Sequence, residues 1–166
     1  MLEKQSLADQ RIIDYLNTYY GIEVVKLTFL PLGADMNASV YKAEAHNQLS
    51  YFVKLKLGHH HDIGIAVVEL LHHAGIQQII LPVKTTHSHA TQLIDDFTLI
   101  VYPFIEGQNG FSRTLIDEQW LMLGKTLRVL TAHVILNGLI MIRFLMWMAV
   151  KSCLNLSVMR VVIQYL

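Results

Sequence analysis

Three strand-like runs between residues 24 and 57 constrain the fold more than any other feature of the sequence. Residues 24–30 are mostly apolar and β-branched, and residues 39–45 and 51–57 alternate in the manner of strands. His46-Asn47-Gln48 is a short polar turn between the last two runs, whereas residues 31–38 form a longer interruption that contains proline and glycine. The sequence therefore predicts a sheet with one tight hairpin and one long turn.

Residues 7–20 precede these strands and repeat apolar side chains at helical spacing. Ser6, followed three residues later by Asp9, resembles a capping box at the start of a helix, and Gly21 supplies a stop. We expect an amphipathic helix over residues 7–20.

Further elements follow the three strands in a mixed order. Residues 62–73 are expected to form a helix, and residues 79–85 and 98–104 two more strands with a short ribbon at 90–94 between them. Another helix is expected after a linker that contains glycine. Helix, three strands, helix, further strands, linker and helix is the order of an α+β fold.

Composition excludes several classes of protein. Hydrophobic residues make up 53% of the chain and charged residues 16%, which argues against disorder, and the net charge of zero gives no basis for nucleic-acid binding. Cys153 is the only cysteine, so no disulfide within the chain is expected. The first residues lack the pattern of a signal peptide. These features favour a cytoplasmic protein.

Lys54, in the middle of the third strand-like run, is the first candidate for chemistry. A nucleoside triphosphate needs a turn that closes over its phosphates, a fixed cation, and a helix that orients the cation. The order of long turn, strand, strand with central lysine, and helix provides these parts. The alternative is an ordinary exposed lysine, since Lys56 two residues later faces the same way.

Three motifs in this order resemble those of the aminoglycoside phosphotransferase family, and among its members the spectinomycin phosphotransferases most. They are Gly33-Ala34-Asp35-x-Asn37-Ala38-x-x-Tyr41, Tyr51-Phe52-Val53-Lys54-Leu55-Lys56, and Tyr102-Pro103-Phe104-Ile105-x-x-x-Asn109-Gly110-Phe111. The resemblance covers residues 1 to about 131. It implies the small lobe of a protein-kinase-like fold, an antiparallel sheet plus helices, with ATP as the cofactor.

The resemblance also implies roles for individual residues. Gly33, Asp35 and Asn37 lie in the turn over the phosphates, and residues 99–107 form the hinge between the lobes. The remaining roles belong to three hinge residues. Tyr102 guards the back of the pocket, the Pro103 carbonyl accepts from the adenine amino group, and the Ile105 amide donates to the ring.

The acid that orients Lys54 stays open. Glu69 lies on the helix that follows Lys54, and Asp62 stands at the start of that helix. Glu69 is the first choice and Asp62 the second. The structural alternative makes Glu69 a solvated helix residue and Asp62 a helix cap.

The sequence departs from the family after the hinge. The family carries a histidine–aspartate catalytic loop and then an aspartate that holds Mg²⁺, whereas no aspartate follows Asp117 here. No catalytic residue is therefore assigned, and Mg²⁺ is expected only with the missing large lobe. We expect a truncated antibiotic phosphotransferase that is inactive alone, whose intact relatives transfer the γ-phosphate of ATP to an antibiotic hydroxyl.

The end of the chain changes character. We divide the sequence into a nucleotide-binding small lobe (1–104), a hinge with the first large-lobe helix (105–131), and an apolar tail (132–166), expected to be helical. No acidic residue follows Glu118, which fits out-of-frame translation of a disrupted gene. Arg143 inside the apolar run disfavours a membrane span. One alternative is that the tail is a helix packed on the lobe. The other is that the protein is not an enzyme and uses the tail to associate with a membrane or to bind a partner.

Histidines occur in clusters, at residues 59–61 and 72–73 and at His87 with His89. A metal site needs ligands that converge, commonly with cysteine or carboxylate partners. Nothing in the sequence makes these histidines converge, so we expect them to be solvated or locally hydrogen-bonded and assign no metal ligand.

Overall fold

The computed structural model describes residues 4–31, 37–58, 63–73, 75–76, 79–107 and 116–136. The chain divides into two compact units. The first comprises Met1–Ala66 and Leu81–Ile105, and the second comprises Val67–Ile80 and Glu106–Leu166.

Three helices and five strands make up the regular structure of the described residues. In chain order they are α1 (Asp9–Tyr20), β1 (Val24–Leu30), β2 (Ala38–Ala45), β3 (Ser50–Leu57), α2 (Ile63–His73), β4 (Gln92–Ile94), β5 (Phe97–Pro103) and α3 (Asp117–Leu136). The predicted α+β class is confirmed, and the predicted order of elements holds except for the strand expected at residues 79–85.

Helix α1 begins later than the sequence predicts. Ala8 is the N-cap residue and makes no side-chain cap hydrogen bond, so the predicted capping box at Ser6 is wrong. The predicted stop is confirmed, because Gly21 has a φ of 64°, a left-handed conformation that glycine adopts without a steric penalty. The Ile22 N–H then donates to the Leu16 carbonyl at 3.1 Å, which turns the chain toward β1.

The sheet has the strand order β1-β2-β3-β5-β4, and each neighbouring pair is antiparallel. The predicted hairpin between β2 and β3 is confirmed. The Ala45 N–H donates to the Leu49 carbonyl at 2.9 Å, and Gln48 takes a positive φ of 66°. Three strands of this sheet, β2, β3 and β5, form its centre.

Residues 79–85 do not form the strand that the sequence predicts. Pro82 has no N–H to donate to a sheet ladder, and Val83 makes one backbone hydrogen bond, to the Val101 carbonyl at 2.7 Å. The Thr85 N–H donates to the His89 carbonyl instead, so the chain folds back on itself in a local turn. The apolar residues of this stretch resemble a strand in composition, but its hydrogen bonds do not extend the sheet.

The core of the first unit lies between α1 and one face of the sheet. Ile12 and Leu16 of α1 are fully buried, and they belong to the same cluster as Tyr41, Val53 and Val101 of the central strands. Tyr41, Val53 and Val101 are direct partners across β2, β3 and β5, so their side chains share this face. The alternation of each strand therefore leaves its other residues for the opposite face.

The second unit has a small apolar cluster of its own, formed by Val67, Leu71 and Ile76 with Ile79 packed against it. Gly75 adopts a φ of 92° just after α2, as expected for a helix stop. In α3, Leu123 is buried while Trp120 is 54% exposed. None of the described helices is both long enough and apolar enough to span a membrane.

Candidate functional site

Lys54 lies on the central strand β3, on the face of the sheet that α1 does not cover. Its direct partners are Val40 on β2 and Ile100 on β5. Directly opposed residues of antiparallel strands have side chains on the same face. Val40 is 6% and Ile100 1% exposed, so the lysine stem is held between two buried aliphatic side chains. The strand position of Lys54, expected from the sequence, is confirmed.

This surface, which we call the Lys54 face, is rich in positive charge. On the described strands β1, β2 and β3 it carries Lys26, Lys42, Lys54 and Lys56 together with one acidic residue, Glu44. Glu44 contacts the ammonium groups of Lys26 and Lys42 at 3.9 and 4.0 Å. Both ion pairs are exposed, so each stabilises the folded state by no more than about 1 kcal/mol. The four lysines that these described strands place on one face make the face suited to an anion.

Aromatic side chains occupy the end of this face nearest the end of β5. Lys42, Phe52 and Tyr102 are direct cross-strand partners, and the rings of Phe52 and Tyr102 meet edge to face with centroids 6.4 Å apart. The Lys42 ammonium lies 4.7 Å from the centre of the Phe104 ring, within cation–π range. The Lys54 face is thus cationic along its length and aromatic at one end.

The end of β5 places backbone groups at this aromatic end. The Phe104 N–H donates to the Ser50 carbonyl at 2.9 Å, so Pro103 and its partner Tyr51 form a non-hydrogen-bonded pair. Pro103 therefore loses no ladder bond to β3 for want of an N–H. Because carbonyls alternate in direction along a strand, the Pro103 carbonyl points away from β3, as the Val101 carbonyl does where it accepts from Val83.

The other predicted site residues lie in different parts of the chain, and not all of them are among the described residues. Asn37 directly precedes β2, and its carbonyl accepts from the Leu57 N–H at 2.8 Å, which fixes the start of β2 against the end of β3. Gly33, Asp35 and Asp62 lie outside the described residues. Glu69 lies on α2 in the second unit, where its carbonyl oxygen is 2.7 Å from Nδ1 of His73.

Sequence reasoning missed the neighbours of Lys54. Val40 and Ile100 flank it, and Lys42 with Phe104 completes the aromatic end of the face. The alternation of side chains along β2 could have predicted part of this, because it places Val40 and Lys42 on one face of the strand and Tyr41 on the other. The pairing of Ile100 with Lys54 had no local signal, since it depends on the register between β3 and β5.

The described residues contain no group of three or more histidine, cysteine, aspartate or glutamate side chains that could hold a metal ion. His87 lies 3.3 Å from the hydroxyl of Thr86 through Nδ1, a contact between adjacent residues.

An antiparallel five-stranded sheet with a lysine at the centre of β3, a helix after β3 and a linker after β5 defines the small lobe of a kinase-like fold. No family model matches the chain, and no curated protein matches its sequence. Solved structures do match it. The crystal structure of spectinomycin phosphotransferase APH(9)-Ia in complex with ADP and spectinomycin has a TM-score of 0.71 and 40% identity over 76% of the chain.

The AMP-bound complex of spectinomycin phosphotransferase APH(9)-Ia matches with a TM-score of 0.64 and 37% identity over 73% of the chain. The chain has the kinase-like fold of the aminoglycoside phosphotransferases, as its motifs predict. It spans 38% and 36% of the length of the two phosphotransferase chains.

Proposed function

We propose that the Lys54 face binds ATP and that the chain is the nucleotide-binding part of an antibiotic phosphotransferase. The observation that carries the proposal is the position of Lys54, on a central strand between buried Val40 and Ile100, on a face where the described strands carry three further lysines. The two neighbours fix the position of the lysine stem, and a polyphosphate requires a cation in a fixed position. The structures of the spectinomycin phosphotransferase with ADP and with AMP support a nucleotide as the ligand.

The adenine base is assigned to the aromatic end of the face. Tyr102 bounds the pocket there, the Pro103 carbonyl accepts from the exocyclic amino group, and the Ile105 amide donates to the ring. The direction of the Pro103 carbonyl, away from β3, supports this assignment, because the carbonyl is not used in pairing with β3.

The phosphates are assigned to the turn before β2 and to Lys54. Gly33, Asp35 and Asn37 contribute the turn, and the link between Asn37 and Leu57 ties its end to β3. Glu69, or Asp62 in its place, orients the Lys54 ammonium. These assignments correspond to a small lobe at 1–104, followed by a hinge and first large-lobe helix at 105–131 and a tail at 132–166.

The reaction of the complete enzyme is transfer of the γ-phosphate of ATP to a hydroxyl of an antibiotic of the spectinomycin type. In this sequence no aspartate follows Asp117, so the family's general base and Mg²⁺ ligand are not among its residues. We therefore infer that the 166-residue polypeptide binds ATP in the cytoplasm but does not itself transfer phosphate.

Calorimetric titration of the purified chain with ATP tests the binding proposal. We expect saturable binding by the wild type and at least about a tenfold loss of affinity in Lys54→Met, since a charged contact to phosphate contributes that much or more. Lys125→Met, which removes an equal charge from the exposed surface of α3, is the matched control and should bind as the wild type does. Equal affinity of Lys54→Met and wild type would overturn the assignment.

Incubation with radiolabelled ATP, Mg²⁺ and spectinomycin tests the second part of the proposal. We expect no labelled antibiotic above the level of a reaction without protein. Labelled spectinomycin whose formation is lost in Lys54→Met would show that the polypeptide is itself a complete phosphotransferase.

A further inference from the structure

Lys56 is a second lysine with unusual surroundings on the Lys54 face. Its direct cross-strand partners are Ala38 on β2 and Thr98 on β5, which are 5% and 0% exposed. Lys56 itself is only half-buried. Two residues along β3 separate its Cα from that of Lys54 by about 7 Å, with both side chains on one face.

The ammonium of Lys56 has no carboxylate partner in the described part of the chain. Lys26 and Lys42 of the same face differ, since both contact Glu44. The hydroxyl of Thr98, the cross-strand partner of Lys56 on β5, donates to the Gly58 carbonyl at 2.7 Å. A partly buried charge without a counter-charge is costly unless an anion completes the site.

We propose that Lys56 is a second phosphate-contacting cation that sets the preference of this site for nucleotides with several phosphates. The proposal rests on the nucleotide-binding function proposed for the Lys54 face. Ala38, the β2 partner of Lys56, adds only a methyl group to this face, and the long flexible stems of Lys54 and Lys56 allow both ammonium groups to contact one ligand. A chain of two or three phosphates can contact both ammonium groups through separate phosphates. A monophosphate has a single phosphate group, which contacts one of the two lysines.

Parallel titrations with AMP and ATP test this role. In the wild type we expect ATP to bind more tightly than AMP. Lys56→Met should lower the affinity for ATP by about tenfold and that for AMP by less than about twofold, because a charged contact is lost only where a distal phosphate is present. Lys56→Arg should restore most of the ATP affinity, since it retains the charge.

Two controls separate this role from a structural one. Lys125→Met removes a charge from the exposed surface of α3 and should leave the ratio of the two affinities unchanged. The thermal midpoint of Lys56→Met without nucleotide reports on folding, and an affinity loss confined to ATP cannot come from a fold defect, which would weaken AMP binding equally.

The outcomes distinguish this proposal from the one on which it rests. If the wild type binds neither nucleotide, both proposals fail. If the wild type binds ATP through Lys54 but the ratio of ATP to AMP affinity is the same in Lys56→Met, the role of Lys56 alone is overturned. Equal loss of AMP and ATP affinity would likewise contradict it.

Discussion

The hydroxyl of Tyr20 lies inside the first unit and donates to the Leu99 carbonyl at 3.3 Å. The residue is 8% exposed, and burial raises the pKa of this phenol above its ordinary value of 10.0. Burial, with the charge of Asp9 as a smaller cause, also raises the pKa of the Tyr41 phenol. Both side chains therefore favour the neutral phenol in the folded protein.

Raised phenol pKa values make the folded protein sensitive to alkali. Below about pH 10 the phenols are neutral in both states, and above it the unfolded chain loses protons first, so the free energy of unfolding falls as pH rises. In Tyr20→Phe we expect the free energy of unfolding to be about 1 kcal/mol lower at neutral pH, because the hydrogen bond is missing. We also expect the free energy of unfolding to fall less steeply as the pH rises above about 10. Urea unfolding at a series of pH values measures both. An alkaline decline as steep as that of the wild type would contradict the assignment to Tyr20.

At the scale of elements, α1 is held to the sheet by one apolar stripe. Ile12, Leu16 and Tyr20 of α1 are buried, at helical spacing, against the core face of the sheet. An exposed ion pair between Arg11 and Asp95, 2.6 Å apart, joins α1 to the turn between β4 and β5, and adds no more than about 1 kcal/mol. Packing of the stripe dominates the attachment of this helix.

Leu16→Ala measures that packing. Leu16 is fully buried, so truncation leaves a cavity, and we expect a loss of about 2–5 kcal/mol in the free energy of unfolding. Leu49→Ala, the same change at a turn residue that is 55% exposed, should cost less than about 0.5 kcal/mol. Chemical denaturation of the two variants gives the comparison, and similar losses in both would show that α1 does not dock through this stripe.

At the scale of the molecule, one sheet separates two different environments. Its core face is apolar and covered by α1, while the Lys54 face combines buried Val40 and Ile100 with four lysines. An anion bound to this face reduces the repulsion among the lysines that the described strands place there. Binding of a polyphosphate to the folded chain is therefore expected to stabilise it.

Thermal unfolding with increasing ATP tests this linkage. A ligand that binds only the folded state adds about 2.7 kcal/mol at a hundred times its dissociation constant, so the midpoint should rise steadily with concentration. Lys54→Met should need correspondingly more ATP for the same rise. A midpoint that does not move at concentrations which saturate the calorimetric titration would contradict binding to the folded first unit.

Local patterns in the sequence determined the elements that local interactions control. Alternation predicted β2 and β3, the polar tripeptide at residues 46–48 predicted their hairpin, and Gly21 predicted the end of α1. Each of these depends on conformational preferences within a few residues. Where local signals competed, prediction failed, as at residues 79–85, where Pro82 and the local turn at Thr85 override the apolar strand composition.

The sequence by itself also determined that Lys54 is central in a strand, and that its motifs resemble those of the aminoglycoside phosphotransferases. Only the tertiary structure decided which side chains surround it. Val40 lies 14 residues before Lys54 and Ile100 lies 46 residues after it, and strand register alone brings them together. Register is set by hydrogen bonds and core packing between distant segments, because a one-residue shift would exchange the core face for the Lys54 face.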